Sequence, residues 1–519
     1  MDRAGAPTSL RRRRALQAGV PASLIAAFPV IARGAAGRLK SNPFTLGVAS
    51  GEPDAHSVVI WTRLLLDEGD GWEPIVHPPV PVRWQVFEDP AASRLVAGGE
   101  VDAVAEDAHS VHVSVDGLKP GTRYWYRFEA GSHRSPLGAT KTLPSQASLP
   151  GSVRFAVVSC QNFEDGFFSA YREIASSELD FVVHLGDYIY ERGALGPNPV
   201  RRHGMSVPTT LGEYRARYAR YRSDPMLRAA HAAAPWFVIW DDHEVEDDYA
   251  GDQSQDLHPV AFFRERRAAA YRAYYEHMPL RPTNRPQDAQ LALYRSAMVG
   301  ALAGMHFLDC RQYRHSQACN PPHSGGARWV TPCAAMADPA RSMLGTEQER
   351  WLARRLAATG TRWQLVMQST LLSPAPSVSG RVSNDTWDGY PAARDRLIKA
   401  LAASPADGRA VFGGDIHAFV AASLRDRSAP GRGHWVGAEF NAGSLSSANP
   451  RHRTQEDRLL LNPDIRFADG GHRGYLSCKL SRDALEVTFR ATSDPKRADA
   501  TMQSLARFTA TPGRDELIG

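Results

Sequence analysis

Phe181-Val182-Val183-His184-Leu185-Gly186-Asp187-Tyr188-Ile189-Tyr190-Glu191 begins as a short apolar run and ends in polar and aromatic side chains. A run this short, rich in β-formers and closed by glycine, reads as a buried strand of a parallel sheet. The pattern recurs at Val153-Arg154-Phe155-Ala156-Val157-Val158, Trp236-Phe237-Val238-Ile239-Trp240, Trp363-Gln364-Leu365-Val366-Met367 and Ala410-Val411-Phe412. Helical segments lie between, from about Leu211 to Ala232 and from Thr346 to Ala358. Strands alternating with helices over residues 151–495 predict a layered α/β domain.

Each strand runs out into side chains suited to metals. Ser159-Cys160-Gln161-Asn162 follows one; Asp241-Asp242-His243-Glu244 follows another, with Glu246, Asp247 and Asp248 close behind; Gly414-Asp415-Ile416-His417 follows a third. Carboxyl ends of strands in an α/β sheet are where sites form. Taken singly, an Asp after a strand is as readily a helix cap, and a lone His a core residue. Taken together, that many carboxylates repel one another and resist burial without a cation between them. A metal centre is expected.

Upstream, residues 41–145 change character. Val58-Val59-Ile60-Trp61-Thr62, Val82-Arg83-Trp84-Gln85-Val86 and Val111-His112-Val113-Ser114-Val115 alternate between turn signals such as Asp116-Gly117. Short strands at this spacing predict a fibronectin/Ig-like β-sandwich. Leu118-Lys119-Pro120-Gly121-Thr122-Arg123-Tyr124 resembles the tyrosine corner of fibronectin type III domains, a stability device. The linker Pro144 to Gly151 marks a boundary, and residues 496–519 read as a tail or surface helix.

The chain has 519 residues and a formal net charge of +5. Residues 1–36 carry that whole excess, Arg3, Arg11–Arg14 and Arg33 against Asp2 alone, so the remainder is neutral and nothing steers it toward nucleic acid. In the segment Thr210–Ala232, Arg215, Arg217, Arg220 and Arg222 interleave with Tyr214, Tyr218 and Tyr221, which reads as a packed helix face. Arg11-Arg12-Arg13-Arg14-Ala15-Leu16, an apolar stretch and small residues at Gly34-Ala35-Ala36 read as a twin-arginine (Tat) signal peptide; a disordered basic arm is the competing reading. No apolar run is long enough for a transmembrane anchor. Export to the periplasm or beyond, through the twin-arginine machinery, is therefore expected. The five cysteines fit an oxidising compartment. Cys319 and Cys333 flank a Pro/Gly-rich loop that a disulfide would order, whereas Cys310 and Cys478 read as core.

Gly186-Asp187-x-x-Tyr190 resembles the motif of purple acid phosphatases and the wider calcineurin-like metallophosphoesterases. Asp241-Asp242-His243-Glu244 stands in place of their Gly-Asn-His-Asp/Glu, and Gly414-Asp415-Ile416-His417 in place of Gly-His-x-His. The particular variants here resemble PhoD-type alkaline phosphatases. So do Gly47-Val48-Ala49-Ser50-Gly51-Glu52-Pro53, Leu308-Asp309-Cys310-Arg311-Gln312-Tyr313-Arg314 and Trp387-Asp388-Gly389-Tyr390-Pro391. The chain departs from the wider superfamily at the first strand, where Cys160 replaces the usual Asp-x-His. No His follows Val366-Met367; Gln368 and Ser369 stand there.

The resemblance implies Fe(III) held by Cys160, Asp187, Tyr190 and His417, and Ca(II) on the side of Asp242 and Asp415, with Asp187 bridging. Thiolate, phenolate and imidazole suit iron; carboxylate oxygens suit calcium. His243 is expected to hold the phosphate or protonate the leaving oxygen. Asp241 and Glu244 are expected to orient His243 or, with Asn162, Trp387 and Tyr390, to support the site or meet the substrate. Trp387 and Tyr390 follow the loop Ser373 to Ser383, which reads as a lid or a structural crossover. The implied activity is hydrolysis of small phosphate esters by a metal-activated hydroxide, in a monomer. Diester or phospholipase D chemistry at the same site is the alternative. A secreted module using calcium structurally would leave Cys160, Tyr190, His243 and His417 unexplained.

Overall fold

The computed structural model describes residues 39–66, 78–358, 360–428 and 433–519. The expected leader, residues 1–36, lies outside them. Strands Ser152–Val158, Phe181–His184 and Pro235–Val238 pair in parallel within a ten-stranded sheet. A seven-stranded sheet holds Ala303–Phe307, Trp363–Met367, Gly408–Gly413 and His434–Ala442, again parallel. The two sheets stack through apolar faces, with ring centroids 5.9 Å apart for Phe155 and Phe412 and 4.8 Å for Phe237 and Phe307. Strand alternation sets the layers. Leu365 and Met367 enter this central core, while Val366 and Val411 enter an outer one with residues of helices Gly345–Ala357 and Pro391–Ala402. Burial on both faces is why these strands read as unbroken apolar runs.

The N-terminal region is a sandwich whose two sheets have different owners. Leu95–Ala103, Val80–Phe87, Arg123–Ala130 and their neighbours form a separate five-stranded sheet. Its Tyr124, Tyr126 and Phe128, every second residue, are buried against Val48, Val58, Ile60, Val111 and Val115. The strands bearing that second set, Val48–Gly51, Val58–Arg63 and Ser110–Val115, continue the ten-stranded sheet. Val48–Gly51 joins it by parallel pairing with Pro235–Val238. The sandwich thus shares a sheet with the α/β layers rather than standing apart at a linker. The tyrosine corner is formed: the Lys119 N–H donates to the Tyr124 hydroxyl at 2.9 Å.

The C-terminus differs from expectation. Met502–Ala510 pairs antiparallel with Leu485–Thr492, and Leu517–Ile518 pairs with it in turn, so residues 496–519 extend the sheet instead of forming a tail or helix. Only Phe508, Ala510 and Leu517 of Met502–Ala510 and Leu517–Ile518 are buried, which leaves little periodicity to read. The helix expected from Leu211 to Ala232 is two, Leu211–Arg222 and Pro225–Ala233. Asp224 accepts from the N–H groups of Met226 and Leu227 at 2.9 and 3.0 Å, and Pro225 takes the first position, a start signal inside an apparently continuous pattern.

Candidate metal centre

The turns after the central strands are built from backbone that L-residues avoid. Cys160, Asp187, Asp415 and His417 have φ of 57°, 58°, 65° and 52°. Each such residue costs about 1–3 kcal/mol and persists only where its surroundings enforce it. Here they do. The Ser444 and Ser447 hydroxyls donate to the Cys160 carbonyl at 2.8 and 2.7 Å. Glu244 accepts from the N–H groups of Tyr188, Asp187 and Asp241 at 2.5, 3.1 and 2.9 Å, tying two turns together. Two glycines allow the turns to touch: a Cβ on Gly186 would sit 2.5 Å from the Asp241 nitrogen, and one on Gly414 2.7 Å from the Ser159 hydroxyl. Buried Arg217 binds the carbonyls of Tyr190 and Glu191, so one arginine of the Tyr/Arg helix holds the turn that carries the phenol.

These turns bring Cys160, Asp187 and His417 together, one donor atom from each within 4.8 Å of the others. Asp187, Asp242 and His243 form a second group on the same criterion, and Asp242, Asp247 and Asp248 a third. Asp187 belongs to both of the first two. Its Oδ2 accepts from the Tyr190 hydroxyl at 2.9 Å, while its Oδ1 is buried without a partner. The Tyr190 hydroxyl also lies 2.9 Å from His417 Nε2, and His417 Nδ1 lies 3.1 Å from the Ala448 carbonyl. A proton on Nδ1 donated to that carbonyl leaves Nε2 as the ligating atom. Asp415 accepts from the Thr370 hydroxyl at 2.5 Å.

Electrostatics separates the groups. Burial, then Asp187, pushes the Cys160 thiol well above its usual range, and burial with Asp187 does the same to Tyr190. Burial, reinforced by neighbouring carboxylates, raises Asp187 and Asp415. Burial and Arg473 hold His417 down at about 3, the neutral form that ligates. Burial opposes ionisation of this thiol, phenol and carboxyl, and a bound cation would favour it. The donor chemistry and the orphaned Asp187 oxygen therefore fit a metal centre.

The outer residues fall differently from the expectation. His243 is oriented by Glu191, whose Oε2 lies 2.7 Å from Nδ1, and not by Asp241 or Glu244. Burial opposes charge on His243, but Glu191, Asp187 and Asp242 outweigh it and raise its pKa; against the same burial, His243 draws Glu191 down to about 2. Asp241 instead pairs with Arg311, Nε to Oδ1 at 2.6 Å and Nη2 to Oδ2 at 3.2 Å. Arg311 also reaches Asp385 at 3.0 Å and Asp242 at 3.4 Å, and Arg314 reaches Asp385 at 2.7 Å. Burial would raise Asp385, yet these two guanidiniums bring it down to about 2.

Asn162 is a buried turn residue, accepting from the Glu164 N–H at 2.9 Å. Trp387 and Tyr390 are fully buried. Trp387 donates to Gln368 at 3.1 Å, and Tyr390 accepts from Arg314 at 3.1 Å while donating to the His315 carbonyl at 2.6 Å. Of the segment 373–390, only 374, 376 and 378–381 are exposed. Cys319 and Cys333 are disulfide-bonded; Cys310 and Cys478 are buried and free.

Sequence reasoning assigned no role to Glu191, Arg311, Arg314, Asp385 or the serine loop. Arg311 stood within a quoted motif, but its partner Asp241 is 70 residues away, a pairing one sequence does not reveal.

Two stacked sheets with these donors at their carboxyl ends are the architecture of the calcineurin-like metallophosphoesterases. Comparison with known proteins narrows the class. Residues 155–489 match the PhoD-like phosphatase family and residues 31–144 the N-terminal domain of PhoD-like phosphatases. The chain belongs to that family and is a phosphoester hydrolase. It is 40% identical over 487 residues to alkaline phosphatase D of Bacillus subtilis (strain 168), covering 91% of this chain and 82% of the relative. A solved structure, "Structure of PhoD", superposes with a TM-score of 0.86 at 39% identity, covering 93% of each chain. No helix among the described residues is long and apolar enough to cross a membrane.

Proposed function

We propose that the chain is an exported phosphatase acting mainly on small phosphate monoesters with an Fe(III)–Ca(II) centre. Cys160, Asp187, Tyr190 and His417 would hold the iron, Asp242 and Asp415 the calcium side, and Asp187 would serve both. The observation that carries this reading is Asp187 itself, shared by two donor groups and left with a buried, unpaired Oδ1. When bound, the metals supply positive charge for the phosphoryl oxygens and acidity for the attacking water.

The chain's own residues do the rest. Glu191 fixes His243 at one ring nitrogen. The other, Nε2, lies 3.8 Å from Asp247 Oδ1, beyond hydrogen-bond distance, and would hold a phosphoryl oxygen or deliver a proton to the departing one. The leader Arg11–Arg14 supports twin-arginine export, and the Cys319–Cys333 disulfide supports an oxidising compartment. Processing that continues after Arg11–Arg14 are all changed to Lys would refute the export route.

His243→Ala tests mechanism and substrate together. A general acid matters most for a poor leaving group. The variant should lose far more rate on alkyl phosphates than on nitrophenyl phosphates, with metal content intact; equal losses would reduce His243 to holding phosphate. A parent enzyme that prefers phosphatidylcholine to simple monoesters would overturn the monoester assignment in favour of diester chemistry.

A further inference from the structure

Outside the groups discussed so far, Glu246, Asp256 and His258 each bring one donor atom to within 4.8 Å of the others. Glu246 lies just beyond the Asp242–His243 turn, but its side chain meets Arg266 of the helix Val260–His277. It is 1% exposed. Arg266 approaches its Oε2 at 3.0 Å as an ion pair, but neither carboxylate oxygen accepts a hydrogen bond. A buried acceptor left in that state costs about 1–3 kcal/mol, and more when charged.

Asp256 and His258 approach from an exposed loop. Ser254, buried beneath it, accepts from their N–H groups at 3.1 and 3.2 Å, and its hydroxyl lies 3.2 Å from His258 Nδ1. Phe262 packs edge-on against the His258 ring at 5.4 Å. The ring and the Asp256 backbone are therefore held beside Glu246. Two carboxylates against Arg266 alone leave one negative charge in excess while the imidazole is neutral. Two species can cancel it: a proton on His258, or a metal cation shared by all three side chains. Glu246 Oε1, buried and without a hydrogen-bond partner, is the oxygen that a shared cation would take up.

We propose that Glu246, Asp256 and His258 form a divalent-cation site of the zinc class, apart from the catalytic centre and open to solvent. One imidazole nitrogen and two carboxylate oxygens suit zinc, whereas calcium prefers oxygen donors alone. Solvent completes the coordination. The site ties the loop carrying Asp256 and His258 to the segment that follows Asp242 and His243, so its effect is on stability.

The test uses the metal-loaded enzyme dialysed against micromolar zinc chloride, followed by elemental analysis and thermal unfolding. The parent should gain one zinc that an Asp256→Asn, His258→Ala double variant does not. The Tm of the parent alone should rise with zinc, as binding to the folded state requires. Phosphatase activity, iron and calcium should be equal in the two. Zinc that displaces catalytic metals would appear in both proteins alike. Equal zinc uptake, no uptake by the parent, or a zinc-independent Tm difference between them overturns the proposal and leaves a proton on His258 as the balancing charge.

Discussion

The two sides of the centre are held by different means. Around Cys160 and Tyr190 the backbone is what is held: by serine hydroxyls on the Cys160 carbonyl, by Arg217 on the Tyr190 carbonyl, and by packing that enforces left-handed turns. The guanidiniums of Arg217 and Arg473 reach backbone here, Arg217 the Tyr190 and Glu191 carbonyls and Arg473 those of His417 and Gly470, instead of pairing with the thiol or phenol. Around Asp241, Asp242 and Asp385 the work is done by charge, with Arg311 and Arg314 inside hydrogen-bond or ion-pair reach. One side is a socket of uncharged donors, where burial opposes ionisation and a cation would favour it. The other is an ion-pair lattice that is largely compensated beforehand. Loss of a component should therefore show as lost metal on the first side and as lost stability on the second.

Arg311→Met should have the largest effect. It strands Asp241 in the interior and leaves Asp385 to Arg314 alone, and breaking a buried pair in this way costs about 3–5 kcal/mol. Urea unfolding measures it. Cys160→Ser, nearly equal in volume, should cost less, about 1–3 kcal/mol for a buried hydroxyl. It should nonetheless abolish iron uptake. Comparable destabilisation by the two would erase the distinction.

Glu191→Gln probes the junction between the sides. It keeps a hydrogen-bonding group beside His243 but removes the charge, and should lower kcat about 10–100-fold, as outer partners of metal-site residues do. Unfolding and metal content should move little. Tyr124→Phe, in the sandwich and far from both sides, removes only the bond to the Lys119 N–H and should cost about 1 kcal/mol, with activity unchanged. A loss of activity there would show that the shared sheet transmits strain from Val48–Gly51 to Pro235–Val238.

Sequence reading reached the socket better than the lattice. Cys160, Asp187, Tyr190 and His417 lie directly after apolar runs, where strand ends and local motifs are legible. The lattice joins Asp241 to Arg311 and Arg311 to Asp385 across separations of 70 and 74 residues, and no local pattern encodes those pairs. Glu191 was in view at the end of its run, yet its bond to His243 spans 52 residues. The same limit governs the fold. The central strands were plain because both faces are buried, whereas Met502–Ala510 is a half-exposed strand defined by its pairing. The continuation of the sheet into Val48–Gly51 is likewise a matter of which edges meet, and alternation along one strand does not state it.

The central claim is that thiol, phenol, carboxylate and imidazole on the uncharged side close on ferric iron. The most direct test combines metal analysis of the purified enzyme with its visible absorption spectrum. Iron together with calcium, and a charge-transfer band that weakens or shifts in Tyr190→Phe and in Cys160→Ser, is the predicted result. A colourless enzyme that is fully active with zinc alone would contradict it.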